Sequence, residues 1–163
     1  MAAEVGTKAP DFTLPNQDKQ LVSLGASAGK TVVLAFFPAA FTSVCQKELC
    51  HFRDELGALT SANAIVYGIS VDTPFTLKEF AKQNALTFDL LSDFNKDVIQ
   101  QYDVVNPDMG GLKGISRRAV VIVDGAGTIR YREVTPTPGD EPHYEKVREA
   151  IDQLQGPHPA TLW

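Results

Sequence analysis

The chain has 163 residues, and 44% of them are hydrophobic, which suffices for one buried core but not for two. We therefore expect a single domain over residues 1–163. The net charge is −5 and no run of basic residues is longer than Arg117-Arg118, so we expect no nucleic-acid partner. The N-terminus has no basic segment followed by an apolar run, and no stretch of about 18 apolar residues occurs, so we expect no signal peptide, no membrane contact and a cytoplasmic location.

The N-terminal third predicts a β-hairpin, a buried strand and a helix. Residues 11–24 read as two short extended pieces around a polar turn at 15–18. The β-branched and aromatic run at 31–37 predicts a strand buried on both faces, and Pro38 ends it. From 42 to about 58, apolar residues recur at helical spacing and predict an amphipathic helix.

The rest of the chain continues without an internal repeat or a flexible linker. In chain order it predicts a buried strand at 64–70, a helix at 73–85, a short helix at 95–104, a hairpin at 119–134 with its turn at 125–127, an amphipathic helix at 143–154 and a loosely ordered tail at 155–163. This order predicts an α/β fold with a central mixed sheet flanked by helices. Such folds bind ligands at the carboxyl ends of their strands, which here is the junction between the first buried strand and the first helix.

The two cysteines of the chain, Cys45 and Cys50, both follow that junction. A cytoplasmic chain with only two cysteines is not a disulfide scaffold, and its thiols are normally reduced. Five helical positions separate the two Cα atoms by roughly 8.5–9 Å, which exceeds the approximately 7 Å that a disulfide tolerates. A bond between them therefore requires the helix to unwind, so we expect it to be transient.

Cys45 lies in the first turn of the predicted helix, where unpaired N–H groups and the helix dipole favour a negative charge. Such positions lower a thiol pKa from about 8.5 to roughly 3.5–7.5 and produce the nucleophilic thiolate. Position alone favours an inert buried cysteine that fills a gap in the core, but the neighbours favour a reactive one. Thr42 is placed as an N-cap with its hydroxyl near the Cys45 N–H and sulfur, and Pro38 is placed to enclose the pocket. Capping and strand termination are the alternative roles for these two residues.

A cationic partner for Cys45 is expected from the two arginines that open a later strand. Only one of two successive strand residues faces a given side, so we choose Arg118 and keep Arg117 as the substitute. The alternative is a solvated surface pair. Glu48, one turn after Cys45, either orients the arginine through a bidentate ion pair or is an exposed helix residue.

The run Pro38-x-x-x-Thr42-x-x-Cys45 resembles the P-x-x-x-T-x-x-C signature of the peroxiredoxins. The segments "APDFTL", "FFPAAFT", "LLSDF" and "RAVVIVDGAGTIRY" are similar to peroxiredoxin segments in family order, which extends the resemblance over roughly residues 3–154. The resemblance implies a thioredoxin-like fold and thiol-dependent reduction of hydrogen peroxide and organic hydroperoxides, with neither metal nor flavin as a cofactor. It also implies that Cys45 is the peroxidatic cysteine, Thr42 holds the peroxide, Pro38 shields the thiolate and Arg118 supplies the guanidinium.

The type of peroxiredoxin bears on how Cys45 would be recycled. Overall, the sequence is similar to the one-cysteine, E-type alkyl hydroperoxide reductases, which have no cysteine at position 50. A second cysteine five residues on is the pattern of the Q-type, bacterioferritin-comigratory peroxiredoxins and implies that Cys50 resolves Cys45 as an intramolecular disulfide. The reductant would be thioredoxin, glutaredoxin or a low-molecular-weight thiol. The E-type resemblance indicates a homodimer and the Q-type resemblance a monomer.

Three other functions are compatible with two cysteines. A thioredoxin-type disulfide oxidoreductase would need C-x-x-C, whereas four residues intervene here. A metal-binding module would use Cys45, Cys50 and His51, with no evident fourth ligand from His143 or His158. A holdase with incidental cysteines would show no peroxide-dependent loss of thiols.

Overall fold

The computed structural model of the protein describes residues 3–155. The tail predicted to be loosely ordered at 155–163 lies outside the described residues, apart from the backbone of Gln155 at the end of the last helix. In chain order the elements are β1 (Thr13–Pro15), β2 (Leu21–Ser23), a 3₁₀ turn (Leu24–Ser27), β3 (Thr31–Phe36), α1 (Ser43–Asp54), α2 (Leu56–Ser61), β4 (Ala64–Ser70), α3 (Pro74–Gln83), β5 (Asp89–Ser92), α4 (Asp97–Gln101), β6 (Val105–Asn106), β7 (Ile115–Ser116), β8 (Ala119–Val123), β9 (Ile129–Val134) and α5 (Tyr144–Gln155).

A five-stranded mixed sheet forms the centre, with strand order β5-β4-β3-β8-β9. Strands β3, β4 and β5 are parallel, whereas β8 runs antiparallel to β3, and β9 antiparallel to β8. Strands β1 and β2 form the predicted N-terminal hairpin. The predicted α/β fold with a mixed sheet is therefore confirmed.

The central strand β3 explains why the sequence shows no alternation between apolar and polar residues. Val33 and Ala35 join a core cluster on the face of the sheet that α1, α3 and α5 cover. Leu34 and Phe36 join a second cluster on the opposite face, with α4 and the N-terminal hairpin. Both faces of β3 are buried, so every position of the strand is apolar or small.

Several predicted boundaries were wrong. The helix predicted at 42–58 is two helices, because the chain breaks at Glu55 between α1 and α2. The helix predicted at 95–104 covers only Asp97–Gln101, since Lys96 has a left-handed backbone conformation with φ 67°. Strand β5 and the two-residue strands β6 and β7 were not predicted, because runs of two to four residues carry too little periodicity.

The chain order brings three connections together at one edge of the sheet. The segment after β3 leads into α1, the segment after β4 leads into α3, and the start of the antiparallel β8 lies beside the end of β3, with Ala119 opposite Phe36. This edge holds Cys45, the residues that precede it and Arg118.

Gly68, in the middle of β4, leaves the space that neighbouring core side chains fill. A Cβ at this position would lie 2.7 Å from Leu90 Cδ2, 3.3 Å from Phe37 Cε1 and 3.5 Å from Leu49 Cδ2. We expect Gly68→Ala to lower the free energy of unfolding by about 1–3 kcal/mol through overpacking, as measured by urea unfolding. Gly57→Ala is the control, because its Cβ meets nothing within 4 Å and alanine stabilises a helix by up to about 1 kcal/mol. Equal effects of the two substitutions would contradict this account.

Candidate active site

Cys45 belongs to the apolar stripe of α1 that packs on the sheet. The stripe consists of Cys45, Leu49 and Phe52, which recur at helical spacing and lie in the same core cluster. Cys45 is 0% exposed, although its neighbours Ser43 and Gln46 are exposed. The sulfur therefore lies in a dry interior directly below the surface turn of α1.

Arg118 is the arginine that contacts Cys45. Its Nη2 donates to Cys45 Sγ at 3.2 Å, and its Nη1 donates to Glu48 Oε1 at 2.8 Å. The Pro138 carbonyl accepts from both Nε and Nη2, at 3.1 and 2.8 Å, and the guanidinium is 2% exposed. Arg117, the substitute, is exposed, and its Nε donates to the Val105 carbonyl at 3.1 Å.

Glu48 is fully buried and contacts Arg118 through one oxygen, so neither an exposed residue nor a bidentate pair describes it. Its Oε2 atom is buried without a hydrogen-bond partner. Burial raises the pKa of Glu48 to about 7, since the opposing effect of Arg118 is smaller and the carboxylates of Glu141 and Glu133 act in the same direction as burial. Near neutral pH the carboxyl is therefore divided between its neutral and charged forms.

The pKa of Arg118 reflects the same cluster. Burial lowers this pKa, but the negative charges of Cys45 and Glu48 together outweigh burial and raise it above the usual value. The guanidinium consequently stays charged inside the protein, within hydrogen-bond distance of the sulfur.

Thr42 and Pro38 lie on the connection between β3 and α1, which leads to Cys45. Thr42 is the N-cap of α1, as predicted, but its hydroxyl makes no capping bond. It donates instead to the Ala39 carbonyl at 2.9 Å, so the expected contact with the Cys45 N–H is wrong. Pro38 is buried immediately after β3. The Thr42 oxygen, with its own proton engaged, can still accept a hydrogen bond from a ligand.

Cys50 lies on another side of α1 from Cys45. It is half-buried, and its Sγ donates to Asn84 Oδ1 at 3.7 Å, beside the C-terminus of α3. Both cysteines are free thiols. The structure thus shows the reduced arrangement, with Cys50 turned toward α3 and Cys45 turned toward the sheet.

The metal-site alternative finds no support in the part of the chain that the structure describes. The ring of His51 stacks on Tyr144 with a centroid distance of 3.7 Å, and His143 Nδ1 contacts Glu133 Oε2 at 2.7 Å. His158 lies outside the described residues. Within residues 3–155, no group of three or more His, Cys, Asp or Glu side chains is arranged to hold a metal ion. No helix in the same range has the length and apolar character needed to cross a bilayer.

Sequence reasoning missed two groups that shape this site. The Pro138 carbonyl holds Arg118, and the Asp72 carboxylate accepts a hydrogen bond from the Ala40 N–H at 2.8 Å. A backbone carbonyl leaves no signal in a sequence. Asp72 could have been found from the sequence, because it follows the end of a predicted buried strand, at the sheet edge where ligands bind.

Comparison with known proteins gives a consistent result. Residues 5–132 match the model of the AhpC/TSA family. Alkyl hydroperoxide reductase E of Mycobacterium tuberculosis is 44% identical over 133 residues, which cover 80% of this chain and 84% of that protein. The putative peroxiredoxin bcp of Coxiella burnetii is 41% identical over 132 residues, which cover 79% of this chain and 87% of that protein.

Solved structures agree with these relatives. The peroxiredoxin-like protein from Aquifex aeolicus matches with a TM-score of 0.86 and 27% identity, covering 94% of this chain and 89% of that chain. Peroxidoxin BcpB from Mycobacterium tuberculosis matches with a TM-score of 0.81 and 28% identity, covering 91% and 96% of the two chains. The predicted thioredoxin-like fold is therefore confirmed.

The buried carboxyl of Glu48 makes stability depend on pH. Its pKa is about 7 in the folded protein and 4.5 for the ordinary group, so between these values the unfolded chain binds fewer protons. The free energy of unfolding should therefore fall as pH rises through this range, by up to about 3 kcal/mol. Urea unfolding at about pH 5 and about pH 8 measures this effect.

The control for this prediction is Glu48→Gln. Both proteins should carry Cys45→Ser, so that the thiol does not titrate. The difference in unfolding free energy between the protein that keeps Glu48 and the Glu48→Gln variant should change across the range, favouring Glu48 at low pH. A difference that stays constant with pH would contradict the raised pKa.

Proposed function

This chain belongs to the AhpC/TSA family of peroxiredoxins, which are thiol-dependent peroxidases, and on that premise we propose that Cys45 is the peroxidatic residue. The substrates are hydrogen peroxide and organic hydroperoxides. The observation that carries the assignment is the Arg118 guanidinium, 3.2 Å from Cys45 Sγ in a site closed to water. We propose that the chain works as one domain, without a metal or an organic cofactor.

The reaction follows from the groups around the sulfur. The Cys45 thiolate attacks the terminal peroxide oxygen, so an S–O bond forms while the O–O bond breaks. The electron pair leaves with the other oxygen, which takes up a proton to give an alcohol or water. Sulfur is oxidised by two electrons and becomes a sulfenic acid. Arg118 and the free N–H groups of the first turn of α1 stabilise the charge that develops on the departing oxygen.

Thr42 and Pro38 are proposed to shape the peroxide pocket. The Thr42 oxygen accepts a hydrogen bond from the O–H group of the bound peroxide, and Pro38 keeps water from the sulfur. Since Cys45 is fully buried, the peroxide enters through a small local opening at the exposed residues Phe41, Thr42 and Ser43. Glu48 is a positioning residue in this scheme, because it contacts Arg118 and not the sulfur.

Recycling is proposed to use Cys50. After oxidation, the first turns of α1 unwind, the Cys50 thiol condenses with the Cys45 sulfenic acid, and a disulfide and one water form. An external thiol then reduces the disulfide, and thioredoxin, glutaredoxin and low-molecular-weight thiols all fit this step. The cytoplasm suits the cycle, because its thiol pool keeps both cysteines reduced. All the residues assigned to the reaction come from one copy of the chain, so a monomer and a homodimer serve it equally.

The alternative of a thioredoxin-type disulfide oxidoreductase fits the geometry less well. Such enzymes need two cysteines separated by only two residues, in a C-x-x-C motif. Here Cys50 faces Asn84, whereas Cys45 faces Arg118. A peroxidase needs only one reactive thiol beside a cation, and the contact between Arg118 and Cys45 supports that assignment.

The role of each cysteine can be tested with stoichiometric hydrogen peroxide. Cys45→Ser should lose no thiol when one equivalent of peroxide is added, because the remaining Cys50 has no cationic partner within hydrogen-bond reach among the described contacts. Cys50→Ser should be oxidised as fast as the unmodified protein and should stop at a sulfenic acid that dimedone labels. Thiol counting and mass spectrometry provide the measurements. Equal rates in the Cys45→Ser and unmodified proteins would overturn the nucleophile assignment.

The same experiment decides whether Cys50 resolves Cys45. The oxidised unmodified protein should show the loss of two hydrogens and no dimedone adduct. An adduct that persists in the presence of Cys50 would show one-cysteine behaviour instead, with the peroxidase assignment intact.

The neighbouring arginines form a matched pair for a second test. Arg118→Met should slow oxidation of Cys45 by roughly 10²–10³-fold, the effect of losing a preorganised donor at a reacting oxygen. Arg117→Met should leave the rate unchanged, since Arg117 is exposed and binds the Val105 carbonyl. Stopped-flow measurement of thiol oxidation gives both rates. A slow Arg117 variant with a fast Arg118 variant would reverse the assignment.

A further inference from the structure

We propose that Asp72 is a positioning residue for the peroxide reaction, holding the loop at residues 38–42 in the conformation that aligns Pro38 and Thr42 over the sulfur. The inference rests on the proposed function of Cys45. Asp72 lies outside the P-x-x-x-T-x-x-C pattern, in the connection between β4 and α3. The loop that it holds follows β3, the parallel neighbour of β4.

The Asp72 carboxylate is the link between these two connections. Its Oδ2 atom accepts hydrogen bonds from the Ala40 N–H at 2.8 Å and from Ser70 Oγ at 2.7 Å. The Ser92 hydroxyl, at the end of β5, donates to the Asp72 carbonyl at 2.6 Å. Ser70 thus holds the carboxylate and Ser92 holds the Asp72 backbone, while Oδ2 also binds the loop after β3.

The loop needs a stabilising hydrogen bond, because its backbone conformation is energetically unfavourable. Phe41 has φ 66°, a left-handed backbone that a side chain with a Cβ rarely adopts. The residue before it, Ala40, is 9% exposed, so its N–H must find a partner inside the protein. Asp72 is that partner, and the bond stands immediately before the strained residue.

The strained residue determines where Thr42 points. On the far side of Phe41, the Thr42 hydroxyl donates back to the Ala39 carbonyl at 2.9 Å, which closes the turn. Without the Asp72 bond, Phe41 can relax to an ordinary backbone conformation, and the turn that orients Thr42 opens. The Cys45 sulfur and Arg118 lie on other elements and keep their contact. Peroxide alignment should therefore suffer while the thiolate itself persists.

The test compares two reactions of Cys45 in a Cys50→Ser background, where it is the only thiol. One is oxidation by hydrogen peroxide, which needs an aligned pocket, and the other is alkylation by iodoacetamide, which needs only an accessible thiolate. Asp72→Ala should slow oxidation by roughly 10–100-fold, the effect of a displacement of about 1 Å in a reacting site. The alkylation rate of Asp72→Ala should equal or exceed that of the parent. The oxidation rate of Asp72→Asn should fall between those of the parent and Asp72→Ala, because an amide oxygen can still accept from the Ala40 N–H.

Asp93→Asn is the matched control. This carboxylate also binds backbone N–H groups after a neighbouring strand, those of Val98 at 3.2 Å and Ile99 at 2.8 Å, but it has no bond to the 38–42 loop. It should lower stability in urea without changing the ratio of the oxidation and alkylation rates. Asp72 variants with the same rate ratio as the parent, or with the same ratio as the Asp93 variant, would overturn the inference. A parent in which peroxide fails to oxidise Cys45 would instead overturn the proposed function, and the Asp72 inference with it.

Discussion

The hydrogen bond between Arg118 and the Cys45 sulfur is the interaction on which the site depends. A guanidinium with 2% exposure carries a desolvation penalty that only nearby negative charge and hydrogen bonds can offset. The Cys45 sulfur, the Glu48 carboxylate and the Pro138 carbonyl supply those partners. The same low dielectric that makes the charge costly makes its attraction to a thiolate strong.

The protonation state of Glu48 affects how strongly Arg118 attracts a negative charge on the sulfur. With both Cys45 and Glu48 ionised, two negative groups share one guanidinium in a dry site. Because burial raises the Glu48 pKa to about 7, the carboxyl is present in both its neutral and charged forms near neutral pH. When Glu48 is neutral, it no longer offsets the positive charge of Arg118 beside the sulfur. The unpartnered Oε2 atom fits this account, since a neutral carboxyl loses less than a carboxylate when one oxygen is left without a donor.

The sheet topology explains why these groups meet. The antiparallel pairing of β8 with β3 places the residue before Ala119 beside the segment that follows Phe36, so Arg118 reaches the start of α1. The parallel pairing of β4 with β3 places Asp72 at the same edge. Only β3 pairs with both β4 and β8 in this sheet. The three connections therefore converge at the end of the central strand.

The sequence was informative where a residue type carried its own chemistry. Charge and strand alternation were enough to pair Arg118 with Cys45, and the buried strands β3, β4 and β8 were long enough for their composition to identify them. The break at Glu55 was missed, because the nearest glycine, Gly57, lies two residues beyond it and inside α2. The strain at Phe41 and the single-oxygen contact of Glu48 depend on tertiary packing, so no local sequence pattern predicts them. The Thr42 hydroxyl donates to the Ala39 carbonyl, and its oxygen does not accept the first-turn N–H bond that capping rules predict.

The two ends of α1 differ in how firmly they are held, and this difference bears on whether Cys50 can resolve Cys45. After Cys50, Phe52 is buried in the core and Arg53 donates to the Asn84 carbonyl at 2.7 Å. Before Cys45, the residues at 41–43 are exposed, and no side chain caps the helix. Helix unwinding should therefore begin at the N-terminal end and carry Cys45 toward a Cys50 that stays docked on α3. In the proposed cycle, oxidation converts the thiolate to a neutral sulfenic acid, which weakens the contact with Arg118 that opposes this movement.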